Sequence, residues 1–368
     1  VIAIDGFSTD RQRLYEFVTL AEKIYRSDSY WIAPSQTKLL AQLSCEIPFF
    51  GPGLLQHFLA RQGKEPLGRV SVMINRRAVE QAEPVGYFGF FECVDDHRVA
   101  QKLLEASLDW FHQQKMKTVR GPINGSTWHS YRLMTKGFEH APFWLEPYNP
   151  AYYPHFLERC GFQVKKKYYS TRVTYHERQI RSAEAKSQFI QAAGYNVRPL
   201  ALQRFTQELK LLYDLSVSIF KNNWGYTEIA WEEFRALYEG LDRVVDQEMV
   251  LFALDPHKNP IGFVFAVPDY AYAMRQMRGA SHLWAKLRFA LAKRQPRRSV
   301  IVKTLGVIPE ARHTGIGSVL VALVHQYAQQ QGYTEAIHAL MSEENISLKI
   351  SEKASEPYKE YAVYEIKI

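Results

Sequence analysis

The chain has 368 residues, 46% hydrophobic and 23% charged, an ordinary globular balance that excludes wholesale disorder, collagen and a coiled coil. Its net charge of +8 suits an anionic ligand such as a nucleotide, an acidic carrier protein or nucleic acid, without choosing among them. No apolar run is long enough for a membrane-spanning helix.

Leu14, Phe17, Val18, Ala21 and Ile24 recur at helical spacing behind Asp10, which predicts a helix over 10–24 with Asp10 as N-cap. Gln56–Gln62 and Gly68–Asn75, joined through Gly63-Lys-Glu-Pro66, predict a hairpin. A strand at Tyr87–Cys93, a helix at Val99–Lys115 and a strand at Thr118–Gly121 follow. Asn149-Pro150 has N-cap and N1 chemistry for a helix to Arg159, closed by Gly161, and Phe162–Tyr175 alternates as a pair of strand segments. Asn124-Gly-Ser126-Thr-Trp128-His129 reads as a loop, with Trp128 and His129 as acceptor-pocket candidates.

His176–Asn196 is polar, and the halves are expected to divide there: 1–178, a linker over 179–196, and 197–368. The second half restarts the same order: helices at Leu202–Phe220 and Ala230–Leu241, a hairpin of Met249–Leu254 and Gly262–Val267, strand Val300–Val307, helix Gly317–Gln331 and strand Glu335–Leu340. Lys64–Val70 matches Lys258–Val264 without gaps. In a longer register, Leu103 matches Leu320 and Gln113-Gln114 matches Gln330-Gln331. The shared order points to an internal duplication, with an insertion at Asp269–Arg298 in the second copy.

The most informative stretch is Thr304-Leu-Gly-Val-Ile-Pro-Glu-Ala-Arg-His-Thr-Gly-Ile-Gly317, which runs from a β-branched strand through a two-glycine loop into an apolar helix. Orphan N–H groups and the helix dipole at such a junction favour a pyrophosphate, glycines let it approach, and Arg312 adds charge. Arg312-x-x-Gly315-x-Gly317 after a strand resembles the acyl-CoA signature of the GNAT N-acetyltransferase superfamily. The whole chain also resembles uncharacterised bacterial tandem GNAT-like proteins through Tyr30-Trp-Ile-Ala-Pro34, Gly89-Phe-Phe-Glu92, Arg120-Gly-Pro122, Pro147-Tyr-Asn-Pro150 and Asn223-Trp-Gly225.

The resemblance implies an α/β (α+β) chain of tandem GNAT-type domains, each a mixed, mostly antiparallel sheet flanked by helices. It implies an acetyl-CoA or other acyl-CoA co-substrate held by Leu305, Val307, Arg312, His313, Thr314, Gly315, Ile316, Gly317 and Asn345. The expected activity is direct N-acyl transfer, acetyl transfer first, to the primary amine of a small-molecule or peptide acceptor. In the first copy Asp95-Asp96-His97-Arg98-Val99-Ala100 occupies the loop position: the carboxylates cap a helix but repel pyrophosphate, so 1–178 is expected to be a degenerate copy that does not bind CoA.

The family often carries a carboxylate on the strand before the loop and a Tyr after Asn345. Val300–Gly306 has no acid and Ile346–Ser355 no Tyr. Asp269 and Tyr361, with Tyr358 and Tyr364 beside it, are the nearest catalytic substitutes. The plainer alternatives are a turn residue for Asp269 and ring packing for the tyrosines. A non-catalytic CoA-binding or carrier-docking module is the competing function.

Arg275–Arg298 holds eight Lys/Arg and no acid, with Leu283, Trp284, Leu287, Ala290 and Leu291 at helical spacing. Such a basic amphipathic helix docks an acidic partner, such as an acyl carrier protein, or an anionic membrane. The bland alternative is a helix packed on its own domain. No nucleic-acid motif or metal cluster is visible. Val1–Asp5 carries no secretory pattern, and the three cysteines, Cys45, Cys93 and Cys160, are scattered, so a cytoplasmic protein is expected.

Overall fold

The structure, a computed structural model, describes residues 1–43, 53–78, 83–175, 188, 190–280, 282–295, 298–345, 348 and 355–368. In the first half come β1 (Ile2–Phe7), α1 (Arg11–Ile24), α2 (Gln36–Leu43), β2 (Leu54–Gln62), β3 (Glu65–Ile74), β4 (Val85–Cys93), α3 (His97–Gln113), β5 (Thr118–Gly121), β6 (Leu133–Lys136), α4 (Tyr153–Arg159) and β7 (Gln163–Thr174). The second half supplies β8 (Asn196–Pro199), α5 (Phe205–Phe220), α6 (Trp231–Leu237), β9 (Val250–Leu254), β10 (Pro260–Pro268), α7 (Ala271–Met277), α8 (Leu283–Ala292), β11 (Ser299–Val307), α9 (Ile316–Gln330), β12 (Glu335–Ser342) and β13 (Glu356–Lys367).

Local chemistry explains most of these elements. Asp10 accepts from the Arg13 N–H at 2.8 Å and Asp96 from the Arg98 N–H at 2.9 Å, so both cap helices as their positions suggested. The expectation for Asn149 fails. Its amide is used to clamp Met134, accepting from that residue's N–H at 2.7 Å and donating to its carbonyl at 3.2 Å, and the helix starts later, at Tyr153. Phe162–Tyr175 is one twelve-residue strand rather than two segments.

The duplication is visible in the pairing. β4 runs parallel to β5 from Val85↔Thr118, and β11 parallel to β12 from Ser299↔Glu335, each pair joined by a helix, α3 or α9. The extra length in the second copy lies between β10 and β11 and holds α7 and α8. All described strands join one sheet in the order β1-β2-β3-β4-β5-β13-β7-β12-β11-β10-β9-β8, with β6 on β13. The last strand of each half lies beside the other half's parallel pair: β13 against β5, and β7 against β12. The polar segment 179–196, of which 179–187 and 189 lie outside the described residues, therefore separates the halves along the chain but not within the sheet.

Four apolar clusters cover the sheet, two on each half. Phe17 and Leu59 lie in the cluster under α1, Leu103 and Phe111 under α3, Phe234 and Phe263 under α5 and α6, and Leu320 and Val324 under α9. Burying both faces of every central strand is what lets so many strands share one sheet. Cys93 and Cys160 are free thiols, and Cys45 lies outside the described residues.

Candidate active site

The site opens where β11 and β12 part. They pair only as far as Val302↔His338, although both strands continue. On β12 the register against β7 slips between His338 and Met341, and Leu340 sits at φ 60° in the left-handed region. Two bonds hold this unfavourable backbone: the Leu340 N–H donates to Ser170 Oγ at 3.1 Å, and Arg132 donates to the Leu340 carbonyl at 3.2 Å. On β11 a slip between Phe265 and Ala266 leaves Lys303 as the extra, unpaired residue. Beyond Val302, among the described residues, this edge of β11 has no strand paired to it, so its amides can pair with an extended ligand.

The gap continues into a cleft of about 1990 Å³. Trp128, His129, Tyr131, Arg132 and Trp144–Pro147 of the first half form one wall, and α5, α7, α8 and the open strands form the rest. The two acceptor-pocket candidates, Trp128 and His129, do line it.

At one end lies the two-glycine loop. Pro309–Thr314 makes 3-10 turns, Gly315 turns the chain at φ 78°, and α9 begins. Gly315 has the left-handed backbone that glycine adopts freely. A Cβ on Gly317 would lie 3.5 Å from Val307 Cγ2 and 3.7 Å from Leu305 Cδ2, ordinary contacts. The protein itself leaves room for a side chain at Gly317, so the missing atoms matter to whatever enters the cleft. Leu305, Val307, Arg312, Gly315, Gly317 and Asn345 all line it.

Three of the expected cofactor residues do other work. Thr314 Oγ1 donates to the Ala311 carbonyl at 2.7 Å and accepts from the Ile316 N–H at 3.3 Å, Ile316 is buried in the core, and His313 is exposed off the cleft lining. Arg312 Nε donates to the Val307 carbonyl at 3.3 Å.

Neither catalytic substitute reaches the cleft. Asp269 is half-buried, and one carboxylate oxygen accepts from the N–H groups of Trp144 and Ala271, both at 2.9 Å. It anchors the loop that forms the first-half wall. Tyr361 is fully buried; its hydroxyl donates to Glu146 and accepts from Ser170 Oγ at 3.2 Å. It thus links the Leu340 bulge, through Ser170, to Glu146. The side chains of Glu146 and Lys359 are both fully buried and pair at 3.0 Å, and Lys359 also donates to the carbonyls of His140 and Ala141. Burial pushes the Glu146 carboxyl up and the Lys359 ammonium down, while their mutual attraction opposes both shifts.

Lys303 is a titratable group on the cleft lining. It lies on the strand before the loop, where no acid stands. Its Nζ donates to the Leu145 carbonyl at 3.4 Å. Enclosure foremost, then the charge of Arg132, lowers its pKa to about 8, against the opposing pull of Glu146. Arg132 is itself held between the Tyr131 and Tyr168 rings, 3.9 Å from each centroid.

Residues 212–349 match the model of the acetyltransferase (GNAT) family. The matched span takes in the open strand and the two-glycine loop, so this part of the chain resembles the GNAT family. Protein YghO of Escherichia coli (strain K12) is 24% identical to it over 98% of this chain and 94% of that protein. A bacterial ceramide synthase of Caulobacter vibrioides is 26% identical over 96% of this chain and 94% of that one. A tandem GNAT protein from the clavulanic acid biosynthesis pathway, solved without AcCoA, superposes with a TM-score of 0.55 at 8% identity, covering 100% of this chain and 98% of that chain. The tandem GNAT fold therefore extends over both halves.

Sequence reasoning passed over Lys303 and Arg132 on the cleft lining and the buried Glu146–Lys359 pair. A lysine in the strand just ahead of the loop was the available signal for Lys303. Glu146 and Lys359 stand 213 residues apart, and no local pattern links them.

Burial lowers the pKa of His129 to about 3 and that of His338, whose Nε2 lies 2.9 Å from His325 Nε2, to about 4. Their folded pKa values lie below the unfolded one, so their stabilising contribution is complete above about pH 6.5 and declines as pH falls toward 4. Each costs up to about 1.4 kcal/mol per pH unit in that window. The urea midpoint of the native protein should therefore fall between pH 7.5 and pH 5 more steeply than that of His338→Asn. Equal slopes would disprove it.

Proposed function

We propose that the protein transfers an acyl group from acyl-CoA directly to the primary amine of an acceptor, with Lys303 as the base. The observation that carries this reading is the alignment of three features along one cleft: the Gly315/Gly317 helix start, the unpaired edge of β11, and a lysine at that strand's bulge whose pKa is lowered to about 8.

The pyrophosphate meets the α9 N-terminus and Arg312, and the pantetheine amides pair with the open edge at Leu305 and Val307. His313, Thr314 and Ile316 then support the loop rather than touch the ligand. Neutral Lys303 takes a proton from the acceptor ammonium. The freed amine attacks the thioester carbonyl, the C–N bond forms and the C–S bond breaks. The second proton of the nitrogen passes to the leaving thiolate, and Lys303 returns its own to solvent. No covalent enzyme intermediate is needed.

The cleft of about 1990 Å³ has room for an acyl donor and its acceptor together, and the substrate class we take for it is a long acyl chain or a lipid amine. The name of the Caulobacter relative, a ceramide synthase, supports the same substrate class.

The test combines thermal stability with CoA and acyl-CoAs of increasing length and thiol release with an amine panel. Ligand at a hundred times its dissociation constant should stabilise the protein by about 2.7 kcal/mol. Gly317→Asp should abolish that shift without unfolding the chain, because its Cβ meets only ordinary contacts and an acid suits a helix N-terminus. A shift that survives the substitution would sink the loop assignment. A shift without thiol release would support the non-catalytic CoA module instead.

A further inference from the structure

The apolar stripe of α8 faces away from the protein. Leu283 is 78% exposed, Trp284 71%, Leu287 46% and Leu291 54%, so four of the twelve exposed large hydrophobic residues among those described stand on one helix. A domain-packed helix with a solvated basic face would bury them, so that expectation is corrected. The opposite side of α8 does pack inward: Ala285 is buried, and the Phe289 ring lies 5.8 Å from that of Tyr270. The helix is apolar on two sides but finds a partner within the chain for only one.

The flanks supply the missing information. At helical spacing the exposed arc of 283, 284, 287 and 291 is bordered by Arg288 on one side and by Lys286 and Lys293 on the other, with Arg294 in the last turn. No acid occurs between Arg275 and Arg298. Lys293 is held against the Tyr270 ring at 5.2 Å, while Lys286, Arg288 and Arg294 are exposed. Leu and Trp in an outward arc with cations on both borders is the arrangement of a helix lying in a bilayer interface, where side chains enter the acyl boundary and cations meet anionic headgroups. Lys286 and Phe289, together with Met274 and Met277 of α7, also line the cleft, so one helix borders both the outside surface and the substrate space.

We propose that α8 seats the protein on an anionic lipid surface, with the cleft opening beside the bilayer so that a lipid amine reaches it without crossing water. Only the second clause rests on the acyl-transfer reading; the seating rests on α8 alone. A carrier protein would meet the cations but would leave Trp284 and Leu283 without an apolar counterpart of comparable depth.

The test is flotation of the full chain with vesicles of phosphatidylcholine, with and without phosphatidylglycerol. Binding is expected to the anionic vesicles. Trp284→Asp/Leu287→Asp should weaken it by more than about tenfold, and Arg288→Gln/Arg294→Gln by roughly fivefold per cation removed. The thermal shift with CoA, measured on the same samples, should be unchanged and reports that each variant is folded. The idea falls if anionic vesicles do not carry the native chain, or if the apolar variant floats equally well. It also falls if the same face captures an acidic carrier protein or a second copy of the chain and vesicles are ignored. A lost CoA shift in the native protein would overturn the acyl-transfer reading and leave the seating intact.

Discussion

Lys303→Met should lower turnover by about 10²–10⁴-fold while the stabilisation by CoA remains, because the pyrophosphate loop is untouched. In the native protein the rate should climb with pH and level off above about 8, where Lys303 is neutral. Lys303→Arg separates two roles. As a base the lysine must lose its proton, and arginine cannot, so this variant should be as slow as Met. If the residue only supplied positive charge to a bound group, arginine would restore the rate and activity would decline above pH 8. That pattern would remove Lys303 as the base.

Lys359→Met should destabilise the fold by about 3–5 kcal/mol, the usual cost of stranding one partner of a buried pair. The pair joins the first-half wall of the cleft to β13, the strand that the second half places beside β5. Stranding Glu146 also gives the loss a direction with pH. A carboxyl whose folded pKa is raised stabilises fully below its unfolded value near 4.3 and loses that contribution as pH rises. The deficit of Lys359→Met should therefore be smaller at pH 5 than at pH 8. Glu146→Gln/Lys359→Met should recover much of it, since no charge is left buried. Urea unfolding of the native protein and the variants at both pH values measures the cycle. A pH-independent deficit, or a double variant no better than the single one, would show that the pair does not behave as a buried ion pair. Tyr361→Phe, which removes one donor from Glu146, serves as the milder control for the same network.

The pairing of the halves was only partly legible beforehand. The hairpins, the parallel pairs and the insertion could be read, because each depends on alternation, turn residues and spacing within a few dozen residues. The positions of the closing strands could not. β7 and β13 alternate in the same way wherever they pair, and a strand's own pattern names a buried face but no neighbour. The helix expected at Asn149 failed for a related reason: the residue type suits a cap, but Met134, fifteen positions earlier, takes its hydrogen bonds.

Within the site, Gly315 and Gly317 were legible because a left-handed turn into a helix start is local chemistry. The same holds for Asp96, which caps a helix where the first copy lacks a phosphate loop. Asp269 and Tyr361 were chosen as the nearest acid and tyrosine along the chain, and both are engaged in holding the cleft wall. Their types were right for proton transfer, but the hydrogen bonds that hold both away from the cleft were not visible in one dimension.

By itself, then, the sequence determined the two-glycine loop at a helix start, the duplicated order of elements and the charge of the inserted helix. Neighbouring residues alone decide backbone N–H exposure, turn chemistry and net charge. Tertiary structure decided that the pKa of Lys303 is lowered, that Glu146 and Lys359 meet in the dry interior, and that the apolar arc of α8 points outward. Each depends on desolvation or on charges contributed by segments far apart in the chain, quantities that exist only once the fold has excluded water.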